Sequence, residues 1–463
     1  MSRTTADPDS GRPASPRAIA GWVLFDWAAQ PAYTLILTFL FAPYFANVFV
    51  GDAVRGQAYW GYMTAATGLI VALTGPVLGA IADATGRRKP WIALFSIGLI
   101  VGLAGLWLAQ PGVESRLGLV IGFFMLAIVS VEFATIFTNA MMPGLVPPAR
   151  LGRLSGTGWA VGYAGGLASL VVAAGFIVAD PETGRTMLGL KSYLPLDDFA
   201  YEGDRAIGPF SALWYALFVL PLFAFTPDAG APACSAASPV TEGLRQLAET
   251  IRYLRRYKGI MRFLVARMLY VDGLGAIFAF GGLYASSVFG WTTIELGLFG
   301  ILLTIAGAAG AFAGGWLDDS LGSRQVIIIS LAGLLVAALG IVSVSRGSVF
   351  FVVNVEPAAP GATPFASAGE QVYLAFALVV GALGGPLQSA SRTYLARSAP
   401  PHMMTEFFGL FAFSGKITAF AAPLLVGLVT AASGSQRAGI AVILLFLGGG
   451  LALMLGAEEA RRN

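Results

Sequence analysis

A single cysteine, Cys234, and a single histidine, His402, stand among the 463 residues. One cysteine excludes an intramolecular disulfide or a thiolate metal cluster, and one histidine excludes a multi-His metal site. No G-x-x-x-x-G-K-[ST] phosphate loop occurs, and H-E-x-x-H and G-x-S-x-G are also missing. Neither ATP-driven transport of that type nor zinc-protease or serine-hydrolase chemistry has its signature here. Charge is scarce as well: Asp, Glu, Lys and Arg make up 11% of residues, against about 25% in a soluble domain. That is too little to cover a surface facing water. The net charge of +3 is spread over short loops and does not point to nucleic acid. No cofactor and no metal are expected.

What is present is apolar. Hydrophobic residues reach 57%, the mean hydropathy is +0.76, and 59 glycines allow helices to approach closely in a bilayer. A spanning helix needs about 20 apolar residues. Polar, Pro and Gly punctuation yields twelve such runs, at about 18–49, 57–82, 91–110, 117–146, 154–179, 209–226, 260–289, 293–317, 325–344, 371–396, 405–432 and 437–457. The expected fold is all-α and integral to the membrane. Residues 1–17 read as a disordered tail, and no cleavable signal peptide is evident in them.

Basic residues orient the spans. With the N-terminus inside, cytoplasmic segments hold 19 of the 28 Lys and Arg, and the opposite loops hold seven. That asymmetry favours an even span count with both termini cytoplasmic. The longest cytoplasmic connection, 227–259, starts Pro/Ala/Ser-rich and continues TEGLRQLAETIRYLRRYKG. It reads either as a helix lying on anionic headgroups or as a solvated linker helix. The chain thus divides into an N-terminal six-helix bundle (18–226), this linker, a C-terminal six-helix bundle (260–457) and a short cytoplasmic tail (458–463).

A repeat supports that division. Residues 79–91 read GAIADATGRRKPW and residues 315–325 read GWLDDSLGSRQ. Aligning Asp83 with Asp319 also aligns Gly86 with Gly322 and Arg88 with Arg324. Glycine permits a tight turn, and Asp and Arg can pair across neighbouring helix ends.

This layout resembles the major facilitator superfamily, whose loop signature is G-x-x-x-D-x-x-G-R-[RK]. The first copy fits fully through Gly79, Asp83, Gly86, Arg87 and Arg88; the second has Ser323 where the first Arg would stand. The resemblance implies twelve helices in two six-helix bundles, with Gly79, Asp83, Gly86, Arg87, Arg88, Asp319, Gly322 and Arg324 as a conformational latch. Three further segments resemble the vacuole-effluxer-like branch, which includes a yeast autophagy-related vacuolar amino-acid exporter and many bacterial proteins. They are WVLFDWAAQPAY (22–33), NAMMPGLVPPARLGRLSGTGWAVGYAGG (139–166) and SRTYLARSAPPHMMTEFFGLFAF (391–413). The chain departs from many relatives at Gln30-Pro31, where they carry Asn-Ser.

An ionisable residue at membrane depth usually faces protein or water and marks a pathway. Asp26 lies roughly 10 Å into the first span at 1.5 Å per residue, with Gln30 and Tyr33 on the same face. Pro31 is expected to kink the helix beside it. Span 4 offers Glu132 and Asn139, span 7 Asp272, span 10 Gln388 and Arg392, and span 11 Lys416. Span 7 could break at Gly273 and Gly275. In the facilitator fold, spans 1, 4, 7 and 10 line the central cavity.

Each of these residues also has a structural reading. Asp26 could steady the kink, Asp272 could pair with Arg267, Arg392 and Arg397 could snorkel to the interface, and Asn139 and Gln388 could join helices. Trp22, Trp60, Trp91 and Trp291 read as interfacial belt residues. Desolvated acids can hold a proton near neutral pH, which makes Asp26, Glu132 and Asp272 candidate proton carriers. Lys416 and Arg392 would hold an anionic group.

The function expected is secondary transport by alternating access, without catalysis. Acids and bases in one cavity suit a zwitterion such as an amino acid, in line with the export role that the resemblance implies. Protons are a possible second partner. Export of an amphipathic or lipid-like molecule is the alternative, and a membrane-embedded sensor or enzyme stands further off. A monomer in a bacterial inner membrane is the expected form.

Overall fold

A computed structural model describes residues 14–181, 183–228, 245, 248–249, 258–291, 293–358 and 363–457. Most of the 227–259 linker, with Cys234, and both polar tails at 1–13 and 458–463 lie outside these residues. Within the linker, Arg245 and Glu249 form an exposed ion pair at 2.9 Å.

Among the described residues, eleven helices are long and apolar enough to span a membrane, and one bent pair makes a twelfth. Span 1 is Pro16–Phe39 followed by Phe41–Phe49, bent by 41°. Spans 2 to 6 are Ala53–Thr85, Lys89–Leu108, Glu114–Gly144, Pro148–Ile177 and Glu202–Phe225. Spans 7 to 12 are Lys258–Phe289, Thr293–Leu321, Ser323–Ser343, Ala368–Ser398, Pro401–Ser433 and Gln436–Leu455. Helix is the necessary choice here, because hydrocarbon offers no partner to an unpaired backbone group. Spans 1–6 and 7–12 form two six-helix bundles. They meet along a seam where span 2 packs on span 11 and span 5 on spans 8 and 10.

Both described termini lie at one end of the molecule, called here the termini end. The Ala14 N–H donates to Leu145 O in the connection between spans 4 and 5, and Ala457 O accepts from Arg324 at the start of span 9. The 178–201 and 344–367 connections lie at the far end. These hold two small antiparallel hairpins, Ala179–Asp180 with Arg185–Thr186 and Ser348–Val349 with Val353–Asn354.

Three local expectations are corrected. The disturbance of span 1 does not lie beside Asp26, which sits in regular α-helix. The helix widens to a π-helix over Ala32–Phe39 and bends at Leu40. Pro31 leaves Trp27 O without its usual donor, and the Trp214 indole N–H supplies one at 3.2 Å. Span 7 does not break at Gly273 and Gly275; it runs unbroken from Lys258 to Phe289. A Cβ on Gly273 would lie 3.0 Å from Phe446 Cβ, so this glycine serves close packing on span 12.

The tryptophans, finally, point inward. Trp22 and Trp291 are buried and donate to Thr138 O and Glu370 Oε1. Trp60 and Trp91 pack on Phe124 and Phe137.

Candidate functional site

The polar groups of the seam lie in layers. At the termini end each repeat copy places an aspartate on the first turn of a helix in the opposite bundle. Asp83 accepts from Thr405 Oγ1 at 2.6 Å and Glu406 N at 2.9 Å, with Arg88 Nη2 at 3.2 Å. Asp319 accepts from Gly152 N at 2.8 Å and Arg153 N at 3.2 Å, with Arg153 Nε and Arg397 Nη2 beside it. A carboxylate there satisfies N–H groups that a helix start leaves open, and the helix dipole favours it. Gly86 and Gly322 make the turns behind the aspartates, with φ of 71° and 90°. Gly79 lets the chains close up, since a Cβ there would lie 2.5 Å from Thr405 O.

The two copies differ in their arginines. Arg88 joins Asp83 to Thr405 Oγ1. Arg324, its counterpart in the repeat, instead donates to Ala457 O and Leu455 O at the end of span 12. Arg397 takes the place beside the acids, with Asp318 Oδ1 at 2.6 Å. Arg87 is exposed, and its side chain bonds to nothing among the described residues.

The next layer centres on Arg392, which is buried and does not snorkel. From span 10 it crosses to three helices of the N-terminal bundle. Nη1 meets Asp26 Oδ2 at 3.3 Å and Asn139 Oδ1 at 3.0 Å. Nε and Nη2 donate to Ser155 Oγ at 2.9 Å and Ser155 O at 2.7 Å. The Trp22 ring lies under the guanidinium at 5.0 Å. Room for the ion pair comes from span 5: a Cβ on Gly158 would stand 2.5 Å from Asp26 Oδ2 and 3.0 Å from Arg392 Nη2. The Gly162 and Gly166 positions continue this smooth face, against which Gln30 lies.

Deeper, near mid-span, Lys416 Nζ meets Glu132 Oε1 at 2.9 Å, and Tyr33 Oη approaches the same oxygen at 3.4 Å. Lys416 ends the helix Met404–Lys416, so its charge also suits the helix C-terminus. Its side chain keeps 34% exposure and that of Glu132 13%, while Asp83 and Asp319 keep 1% and 3%. The seam is therefore tight at the termini end and looser at mid-depth. Gln30 and Gln388 are half-buried, and their side chains have no hydrogen-bond partner among the described residues.

Asp272 stands apart from both pairs. It is buried in span 7, makes no ion pair with Arg267, and neither of its oxygens has a hydrogen-bond partner. Among the described residues no three His, Cys, Asp or Glu side chains gather as metal ligands would.

The sequence reading missed Ser155, Gly158, Thr405 and Asp318, and offered for Arg397 no role beyond snorkelling to the interface. One signal was available. Aligning Pro147-Pro148 with Pro400-Pro401 sets Asn139 against Arg392, Gly152 against Thr405 and Arg153 against Glu406. These are the residues that the two aspartates and the central arginine engage.

Known proteins resemble the chain to different extents. The family model described as vacuole effluxer Atg22 like matches residues 45–463. An uncharacterized MFS-type transporter of Bacillus subtilis, YxiO, is 24% identical over 447 residues, covering 95% of this chain and 94% of that one. Autophagy-related protein 22 of Cryptococcus neoformans is 27% identical over 307 residues, covering 64% of this chain and 48% of the relative. The match thus spans about half the length of that fungal protein. Among solved structures, the major facilitator superfamily transporter FucP in its outward conformation superposes with a TM-score of 0.69 at 14% identity, covering 96% and 99% of the two chains. The human organic anion transporter MFSD10 gives 0.69 at 15% identity, covering 96% and 100%. These two likenesses establish the major facilitator fold. The chain is an integral, multi-pass membrane protein of the MFS transporter type, and it belongs to the vacuole effluxer Atg22-like family.

Proposed function

We propose that this protein is an alternating-access carrier that exports a small zwitterionic solute, such as an amino acid, with movement coupled to protons. The observation that carries the reading is the division of charge across the seam. The acids Asp26 and Glu132 belong to the N-terminal bundle, and the cations Arg392 and Lys416 that meet them belong to the C-terminal bundle. A solute with both a carboxylate and an ammonium offers each half of such a pair a replacement partner. It can separate the bundles without stranding a buried charge, which would otherwise be costly.

Lys416 and Arg392 would take the carboxylate, and Glu132 or Asp26 the ammonium. Tyr33, Gln30, Asn139 and Gln388 would complete the lining. The Asp83 and Asp319 contacts would act as the latch that holds the termini end shut, with Gly79, Gly86, Arg88 and Gly322 shaping it. Among the expected latch residues, Arg87 and Arg324 have the least support, because neither touches the opposite bundle. One of the three intramembrane acids, Asp26, Glu132 or Asp272, would carry the proton.

Basic residues concentrate at the termini end, which supports cytoplasmic termini and a conformation closed toward the cytoplasm. The Bacillus subtilis relative spans nearly the whole chain, which favours a bacterial inner membrane over a vacuolar one. The protein would act there as a monomer.

Counterflow in proteoliposomes with a panel of labelled amino acids tests this, with and without a pH gradient. Exchange is expected in wild type and its loss in Glu132→Gln. If no amino acid exchanges in either condition, the zwitterion reading fails.

A further inference from the structure

The acids of the two seam pairs each have a cation, and Asp272 has none. It is 3% exposed, neither oxygen has a hydrogen-bond partner, and no Lys or Arg nitrogen among the described residues lies within 4.0 Å. Arg267, five positions earlier on the same helix, is turned away. Its Nη1 donates to Phe411 O at 2.6 Å and Ser414 Oγ at 2.9 Å, and its guanidinium lies 3.4 Å over the Phe411 ring.

The elements packed on span 7 supply no partner either. Span 12 carries one charged group, Arg437, at its far-end start, and Ala421–Ser433 carries none. Met404–Lys416 carries Glu406, at the latch, and Lys416, on Glu132. On span 10, Glu370 bonds Trp291 and Ser367, Arg392 meets Asp26, and Arg397 meets Asp318 and Asp319. Tyr373 on that span donates to Gly281 O, and Tyr270 on span 7 is bonded to Ser391. Tyr394 packs its ring, tilted, against that of Phe263. Span 8 carries Glu295 near its far-end start and Asp318 and Asp319 at the termini end. An ionised carboxylate in this setting would give up its hydration with no cation at ion-pair distance in exchange, and with the Thr418 hydroxyl, directed to Met268 O, as the donor close by.

We propose that Asp272 is protonated in this conformation and is the residue that carries the coupling proton. The inference rests on the transport reading above and names its ion site. Its link to the seam is the break in span 11 at Ile417–Phe420, between the helix ending at Lys416 and the one starting at Ala421. Thr418, within the break, lies close to Asp272, with its hydroxyl directed to Met268 O at 3.5 Å. Two residues earlier, Lys416 crosses to Glu132.

A proton on Asp272 keeps the break neutral and leaves Lys416 with Glu132. When water reaches Asp272, its O–H bond breaks, the proton passes to that water and the electron pair stays on the carboxylate. The new anion then draws on Arg267 and Lys416, both tied to the helix Met404–Lys416. That pull loosens the Lys416–Glu132 contact and with it the seam.

Infrared difference spectroscopy on the full chain in liposomes tests this without any substrate. Wild type minus Asp272→Asn at neutral pH should contain a protonated-carboxyl C=O band that shifts in D2O and fades as pH rises. Subtracting Asp26→Asn or Glu132→Gln should not produce it. If the asparagine variant does not fold, Asp272→Glu should display the band at a shifted position. No such band overturns the proposal, and so does a band that sodium chloride removes and choline chloride does not, which would mark a sodium site. Flux then separates this inference from the broader reading. A pH gradient that drives no amino-acid flux in wild type removes proton coupling altogether. Gradient-driven flux that is equal in wild type and Asp272→Asn removes only the assignment to Asp272.

Discussion

Arg392 on span 10 holds Asp26 on span 1 across the seam at 3.3 Å, two residues 366 positions apart in the chain. The same guanidinium bonds Asn139 and Ser155, so one side chain ties the C-terminal bundle to three N-terminal helices. Asp26 is thus a seam residue first, and its place near Pro31 follows from the helix it rides on.

Arg392→Gln should open the termini end. Removing one partner of a buried pair costs about 3–5 kcal/mol, more than a hundredfold in the ratio of closed to open forms. Spin labels on Arg150→Cys and Ser320→Cys, both exposed at that end, in a Cys234→Ser background, would report it as a longer and broader distance distribution. An unchanged distribution would remove Arg392 from the gate.

The two aspartates of the repeat should contribute alike. Asp83→Ala and Asp319→Ala each remove a cap from a helix start in the other bundle, worth about 0.5–2 kcal/mol. Their effects should add in the double variant, since the sites share no partner. The same spin-label pair measures all three. A fully silent Asp319→Ala would mean that the second copy is decorative.

Gly158→Ala should separate geometry from charge. Its Cβ would meet Asp26 Oδ2 at 2.5 Å, whereas Gly162→Ala would meet Asp26 Cβ at an ordinary 3.4 Å. The first variant should open the seam and reduce counterflow about tenfold, a loss near 1.4 kcal/mol, and the second should stay within about twofold of wild type. Equal behaviour of the two would contradict the role given to Gly158.

Lys416 and Glu132 should behave as a unit. Lys416→Glu places two acids together and should lower thermal stability. Adding Glu132→Lys should restore it to within about 1 kcal/mol, the usual worth of a partly exposed pair. Counterflow should stay low in the double variant, because the polarity seen by the solute is reversed. Recovery of full exchange there would argue against recognition of a carboxylate by Lys416.

The spans were legible because bilayer thickness fixes a length of apolar chain that little else in a sequence imitates. The first latch loop was legible because its Asp, Gly and Arg sit within a few residues of one another. The partners were not. Thr405, Ser155 and Arg397 are ordinary residues at helix ends until another bundle is laid against them. Gly273 illustrates the same limit: a glycine in a span is compatible with a break or with a close neighbour, and only Phe446 decides between them.

By itself, then, the sequence determined that the chain crosses a membrane, how often it does so, that it repeats, and which few polar residues it carries into hydrocarbon. Composition and local spacing suffice for that, because burial in lipid penalises every charge that lacks a reason to be there. The tertiary structure alone decided the pairing: Asp26 with Arg392, Glu132 with Lys416, and Asp272 with no cation. Those outcomes depend on how two six-helix bundles meet, and no local pattern encodes a contact between residues hundreds of positions apart.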